Sequence, residues 1–265
     1  MVVSQELRGW AQTDAAPSLA QSAHTTNRSR QNMRNLILIA ALLAPVGNYI
    51  DNGFYLIRAS VEPVAPTQQS IEAANTVVGI ECSNGLGSAT HIGNGLFISA
   101  HHVVDGCENE PIAIVDHHLE KFYKGKVVAF DVPSDLVLIK ADNPNKVVTP
   151  VARVGWDDPV EGEYVHGVGF GVSYSDNRAG CERRLWSGIV SDYTDNIGGE
   201  QPNCIQSTNP AIPGDSGGAL FNDRGELIGV IHATDYIHTY SIRTACIHKL
   251  LRRYEHAEQK EAATS

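Results

Sequence analysis

The sequence predicts an all-β protein, a barrel or sandwich built from many short strands. Three observations point there. Ten strand-length, β-branched-rich runs follow one another between Thr76 and Ile242, most of them separated by Gly, Asn, Asp or Pro. The 265 residues include 24 glycines, which suits a turn-rich chain. A single segment, Ala245 to Lys260 (ACIHKLLRRYEHAEQK), carries helical periodicity, with Ile247, Leu250, Leu251 and Tyr254 on one face.

Taken in order, residues 1–32 are polar and aperiodic and read as disordered, or as untranslated if Met33 is the true start. Residues 33–57 follow, with a basic start at Arg34 and an apolar run from Leu36 to Val46. That run is short for a membrane span and fits a signal-peptide core or a retained anchor over residues 36–50. Either role places the body of the protein outside the cytoplasm, secreted or periplasmic. Residues 58–73 contain Pro63 and Pro66 and read as a linker, residues 74–258 as the folded domain, and residues 259–265 as a disordered tail. The predicted strands are TVVGIEC, GLFISA, PIAIVD, KVVAF, LVLIK, EYVHGVGF, LWSGIVSDY, NCIQST, LIGVIHA and HTYSI.

Composition narrows the function. A formal net charge of −10 without a long Lys/Arg cluster argues against a nucleic-acid partner. The five cysteines, Cys82, Cys107, Cys181, Cys204 and Cys246, form no C-x-x-C pair, which disfavours a zinc ribbon or a thioredoxin-type motif. His91, His101, His117 and His118 show no metal-ligand spacing, so no metal and no cofactor are expected, and His117-His118 read as a solvated loop.

The chemistry concentrates in three segments. LFISAHHVVDGC ends a strand in two histidines, PSDLVLIKAD leads an Asp into an apolar strand, and IPGDSGGAL sets a serine among glycines. Gly214-x-Ser216-x-Gly218 also matches a nucleophile elbow. An α/β-hydrolase, however, needs the serine first, the histidine last, and strands alternating with helices. The order here is His, Asp, Ser.

That order on an all-β chain resembles the chymotrypsin-like serine proteases, and most closely the protease domain of the HtrA/Deg family. The resemblance rests on GSATHIGNGLFISAHHVVDG, SDLVLIKAD, RRLWSGIVSDY and NCIQSTNPAIPGDSGGALFNDRGELIGVIHA, and covers roughly residues 74–255. It implies two six-stranded antiparallel barrels, a C-terminal helix, polypeptide substrates, and a site in the cleft between the barrels. The catalytic histidine of the pattern precedes Val-Val-Asp-Gly, which selects His102; His101 is then a strand-end residue. Asp135 matches the orienting acid, with Asp131 the fallback. Ser216 matches the nucleophile, and the N–H groups of Gly214 and Ser216 match the oxyanion hole.

The resemblance also implies a substrate pocket at Pro210, Ala211, His232 and Thr234, and disulfides Cys82–Cys107 and Cys181–Cys204, with Cys246 left over. Three departures from the pattern bear on function. No PDZ domain is expected after the C-terminal helix. The cysteines are not typical of the family. Asp215 stands where the HtrA family usually has Asn, as in trypsin-like zymogens, yet no activation site is evident; Arg243, Arg178 or solvent are the candidate partners. The second reading is therefore a latent, protease-like domain that binds peptides or partner proteins with its site unused.

Overall fold

The computed structural model describes residues 65–175, 178–194 and 203–264, with the side chains of 173–181 outside that set. The expected signal segment, the anchor over residues 36–50 and the polar N-terminus all lie outside the described residues. Helix α1 (Gln68–Ala73) comes first, where a linker was expected. Thr67 caps it by accepting from the Ser70 amide, and the Thr67 hydroxyl donates to the Asp223 carbonyl at 2.8 Å. The cap residue thereby docks the helix onto the turn before residue 226.

Six strands then form a closed antiparallel barrel: β1 (Val77–Glu81), β2 (Leu86–Gly93), β3 (Leu96–Ala100), β4 (Ile112–Asp116), β5 (Lys121–Asp131) and β6 (Leu136–Ala141), in the order β1-β2-β3-β6-β5-β4. Pairing of β1 with β4 closes it. The second barrel is built from β8 (Tyr164–Ser175), β9 (Arg178–Thr194), β10 (Cys204–Ser207), β11 (Ala219–Asn222), β12 (Glu226–Thr234) and β13 (Thr239–Arg243), in the order β11-β8-β9-β10-β13-β12. Pairing of β11 with β12 closes this ring, and the two-residue β7 (Arg153–Val154) adds in parallel to the outside of β12. The C-terminal helix α2 (Thr244–Thr264) extends through the expected disordered tail to residue 264. Among the described residues, no helix is long and apolar enough to cross a membrane.

The apolar runs are nearly continuous because their strands are buried on both faces. Phe97 of β3 and Val137 and Ile139 of β6 point into the first barrel with Val78, Ile80 and Ile114. Their alternating neighbours Leu96, Ile98, Leu136 and Leu138 pack instead with Val168, Phe170, Phe221 and Val230 of the second barrel and with Ile247 and Leu250 of α2. A strand's period of two thus lets one sequence serve two cores. Val165, Ile205, Leu220 and Ile228 fill the second barrel.

Cys82 and Cys107 are joined across a separation of 25 residues. The other expected bridge, Cys181–Cys204, is not formed: Cys204 is buried and free. The register explains why. Cys204 pairs with Thr194 at one end of β9, whereas the backbone of Cys181, on the same strand, pairs with Val172 near the other end. Thirteen residues of strand, on the order of 40 Å, separate the two positions, far beyond the reach of a disulfide.

The Cys82–Cys107 bridge closes the loop that carries both histidines. Opening it, by reduction or as Cys82→Ser/Cys107→Ser, is expected to cost about 3 kcal/mol of stability in chain-entropy terms. Denaturant titration of the oxidised and reduced protein checks this.

Candidate active site

His102 sits in the single 3₁₀ turn His101–Val103 that ends β3, with its side chain 45% exposed. Asp135 is the left-handed residue (φ 49°, ψ 42°) between the 3₁₀ turn Val132–Ser134 and β6. Asp tolerates that conformation better than most residues, and here it turns the carboxylate toward β3. The two segments grip each other three times. The His101 amide donates to the Asp135 carbonyl at 3.0 Å, the His102 amide to Asp135 Oδ1 at 2.8 Å, and His102 Nδ1 lies 2.6 Å from Asp135 Oδ2.

A second imidazole reaches the same oxygen. His232 Nδ1, from β12, lies 2.6 Å from Asp135 Oδ2. An ionised carboxylate only accepts, so both rings donate through Nδ1, leaving each Nε2 as an acceptor. Burial opposes ionisation of Asp135, but the hydrogen bonds from His102 and His232 outweigh it and hold this carboxyl well below the ordinary range. His232, expected to line a substrate pocket, uses its Nδ1 on the Asp135 carboxylate. The Thr234 hydroxyl likewise closes its own loop, donating to the His238 carbonyl at 2.9 Å and accepting from the Tyr236 amide. Pro210 is exposed. Ala211 is buried, and its amide donates to Thr239 Oγ1 at 2.9 Å.

Ser216 lies in the turn between β10 and β11. The turn from Ile212 to Asp215 is closed by the Asp215 amide on the Ile212 carbonyl at 3.0 Å, with Pro213 second and Gly214 third at φ 94°. Position three of such a turn needs a positive φ, which is why glycine stands there. Ser88, fully buried on β2, anchors the turn to the first barrel. Its amide donates to the Ser216 carbonyl and its hydroxyl to the Gly214 carbonyl, both at 2.8 Å. Gly217 permits the approach, since a Cβ there would stand 2.1 Å from both the Ser88 carbonyl oxygen and Ser99 Oγ. The Gly217 amide bonds the Ile231 carbonyl at 2.8 Å, next to His232. One chain of contacts therefore runs from the serine turn through β12 and Asp135 to His102. Among the described residues, the amides of Gly214 and Ser216 have no protein acceptor.

Among the described residues, Asp215 pairs with Arg184, which was not among the candidates weighed from the sequence. Its Oδ2 lies 2.5 Å from Arg184 Nη1 and accepts the Ile212 amide at 2.8 Å. Arg243 is instead bonded to Asp158, and the side chain of Arg178 lies outside the described residues. Burial pushes the Asp215 carboxyl up to about 6, against the Ile212 amide and Arg184. Arg184, Ser88 and the contact of His232 with Asp135 are the parts that sequence reasoning missed. Only the Gly-Ser start of β2 carried a hint of one of them.

A second Ser–His–Asp trio shows that proximity alone does not make an active site. Buried His166 has Nδ1 2.8 Å from Ser187 Oγ and Nε2 2.7 Å from Asp223 Oδ1. Ser187, however, sits mid-strand on β9 directly opposite His166, with no turn beside it to gather free amides. Among the described residues, two groups of ligand-type atoms are close enough to hold a cation, His102/Asp135/His232 and His101/Asp105/Glu108. Hydrogen bonding accounts for the first. In the second, His101 Nε2 lies 3.3 Å from Glu108 Oε1. His91 uses Nδ1 on the Thr149 carbonyl and Nε2 on the Gly95 amide.

Comparison with known proteins agrees with this layout. Residues 87–230 match the family model described as a trypsin-like peptidase domain. A probable periplasmic serine protease, do/HhoA-like, of Haemophilus influenzae is 31% identical over 151 residues, covering 55% of this chain and 30% of that protein. The periplasmic pH-dependent serine endoprotease DegQ of Escherichia coli is 32% identical over 151 residues, with the same two coverages. The chain thus spans about a third of the length of these relatives. Among solved structures, the HtrA-type protease AlgW with a decapeptide superposes with a TM-score of 0.60 at 18% identity, covering 73% of this chain and 68% of that one, a likeness of fold.

The buried Asp215 gives a pH test. Its folded pKa, about 6, exceeds the unfolded value of 3.8, so the folded state favours the protonated form. That contribution is present in full below about pH 4 and is lost as pH rises through 6, about 3 kcal/mol in all. Asp215→Asn has no such group. Its stability relative to wild type is expected to rise by that order between pH 4 and 7, read from paired denaturant melts.

Proposed function

The chain belongs to the trypsin-like peptidase domain family, and on that footing we propose that it is a serine endopeptidase acting through His102, Asp135 and Ser216. The observation that carries the reading is the fixed His102–Asp135 pair, joined through β12 to a serine turn with two unclaimed amides.

Each group then has a task. A serine hydroxyl is a weak nucleophile near neutral pH, so His102 Nε2 accepts its proton as Ser216 Oγ attacks the scissile carbonyl carbon. Asp135 keeps the other ring proton on Nδ1 and stabilises the imidazolium. The carbonyl oxygen, now an oxyanion, takes the N–H groups of Gly214 and Ser216. Collapse expels the amine, which leaves with the proton from His102, and the acyl group stays on Ser216. Water, deprotonated by His102, then releases the acid and restores the serine. Support for peptide substrates comes from the relatives named as serine proteases and from AlgW, solved with a decapeptide.

An extracytoplasmic location is part of the proposal. Its support is the Cys82–Cys107 bridge, of a kind that persists in oxidising compartments, and the periplasmic naming of the relatives. The latent-domain reading loses its main motive, because Asp215 has a partner within the chain and does not wait for a new N-terminal amine.

A fluorophosphonate probe is expected to label Ser216 in the folded protein, as located by mass spectrometry. Ser216→Ala and His102→Ala should abolish labelling and lower peptide hydrolysis by at least about 10⁴-fold. A folded wild-type protein that takes no label would favour the latent domain.

A further inference from the structure

β8 reads His166-Gly167-Val168-Gly169-Phe170-Gly171. The three glycines alternate, so they fall on one face of the strand and leave it without side chains. What occupies that face is specific. A Cβ at Gly167 would stand 2.5 Å from Trp186 Cε2, one at Gly169 2.7 Å from Asp215 Oδ1, and one at Gly171 2.6 Å from Ile212 Cγ1 and 2.9 Å from Arg184 Cδ. Across the ladder, Gly167 pairs with Trp186 and Gly169 with Arg184. The bare face is therefore a corridor through which Arg184 of β9 crosses β8 to reach the serine turn.

Arg184 is held within the corridor. Its guanidinium carbon lies 4.7 Å from the centre of the Trp186 ring, and its Nη1 meets Asp215 Oδ2. Asp215 is fully buried, whereas the Arg184 side chain keeps 30% exposure. Among the described residues, Arg184 is the charged group that faces the carboxylate; Gly169 and Gly171 of β8 bring none. Oδ2 also takes the Ile212 amide, while the Asp215 amide bonds back to the Ile212 carbonyl. One carboxylate oxygen thus fixes both ends of the turn that presents the Gly214 amide, and the next residue is Ser216.

We infer that Arg184 is the positioning residue of the oxyanion hole, ordering the Ile212–Ser216 turn through a buried ion pair with Asp215 that the chain supplies itself. The inference rests on the serine-protease reading above. Its chemical logic is neutralisation. A buried carboxylate without a cation is strongly disfavoured, and a turn carrying one would relax toward solvent and carry the two amides away from the carbonyl they must meet.

The test uses Arg184→Gln, Arg184→Lys, Arg184→Gln/Asp215→Asn and Gly169→Ala, with peptide hydrolysis, fluorophosphonate labelling, and hydrogen exchange of residues 212–218 in a Ser216→Ala background. Arg184→Gln is expected to lower kcat on the order of 10²-fold with little change in KM, slow labelling in step, and speed exchange in the turn. Adding Asp215→Asn should restore most of kcat, since the uncompensated charge is gone. Arg184→Lys, which keeps the charge, should fall between wild type and Gln. Gly169→Ala, which leaves both charges and blocks the corridor, should behave like Arg184→Gln. Wild-type kcat and unchanged exchange in Arg184→Gln would overturn the inference. So would a folded Arg184→Gln protein whose loss is not rescued by Asp215→Asn. If the wild type neither cleaves nor labels, the serine-protease reading fails, and the exchange experiment alone then decides whether Arg184 orders the turn.

Discussion

One carboxylate holds the site together. Asp135 accepts the amide and the ring of His102 from the first barrel and the ring of His232 from the second. These are charge-assisted bonds, and a carboxylate largely removed from water is tolerable because its oxygens are so used. The same β12 that carries His232 bonds the serine turn in both directions, through the Gly217 amide on Ile231 and the Ile231 amide on Gly218. A shift of either barrel against the other would therefore break the His232–Asp135 bond and move Ser216 relative to His102. The relative placement of His102 and Ser216 is a property of how the barrels dock.

Docking at that distance needs the absence of side chains at chosen points. Ser88 reaches three groups of the second barrel, the carbonyls of Gly214 and Ser216 and the amide of Phe170. It can do so because Gly217 has no Cβ to meet β2 and β3. Gly167, Gly169 and Gly171 perform the corresponding service on β8. The glycine content that first read as turn-richness is thus spent partly inside strands, where glycine is costly and marks a close approach.

The barrels were legible in the sequence because their strands are short, β-branched and punctuated, and all ten runs fall in observed strands. β2, β7 and β11 were not among those runs. β2 opens on Leu-Gly-Ser-Ala and β7 has two residues, too little apolar pattern to register. β5 runs well beyond KVVAF because pairing with β4 recruits Lys121–Gly125. The candidate residues His102, Asp135 and Ser216 stood out through order and motif, and the structure brings His102 and Asp135 into contact. Arg184 was not legible, since a Glu-Arg-Arg run looks like a solvated face until β8 shows its bare side. The Cys181–Cys204 pairing failed for the converse reason: Cys181 lies near one end of the long β9, and Cys204, on β10, pairs with its other end.

The central claim is that Asp135 binds two imidazoles at once. Nitrogen-correlated proton NMR of the ¹⁵N-histidine-labelled Ser216→Ala protein tests it directly. The account predicts two low-field Nδ1–H resonances, one removed by His102→Ala and the other by His232→Asn, and both absent in Asp135→Asn. A His232 ring proton that is unaffected by Asp135→Asn, or a His102 ring protonated on Nε2 alone in the neutral form, would contradict it.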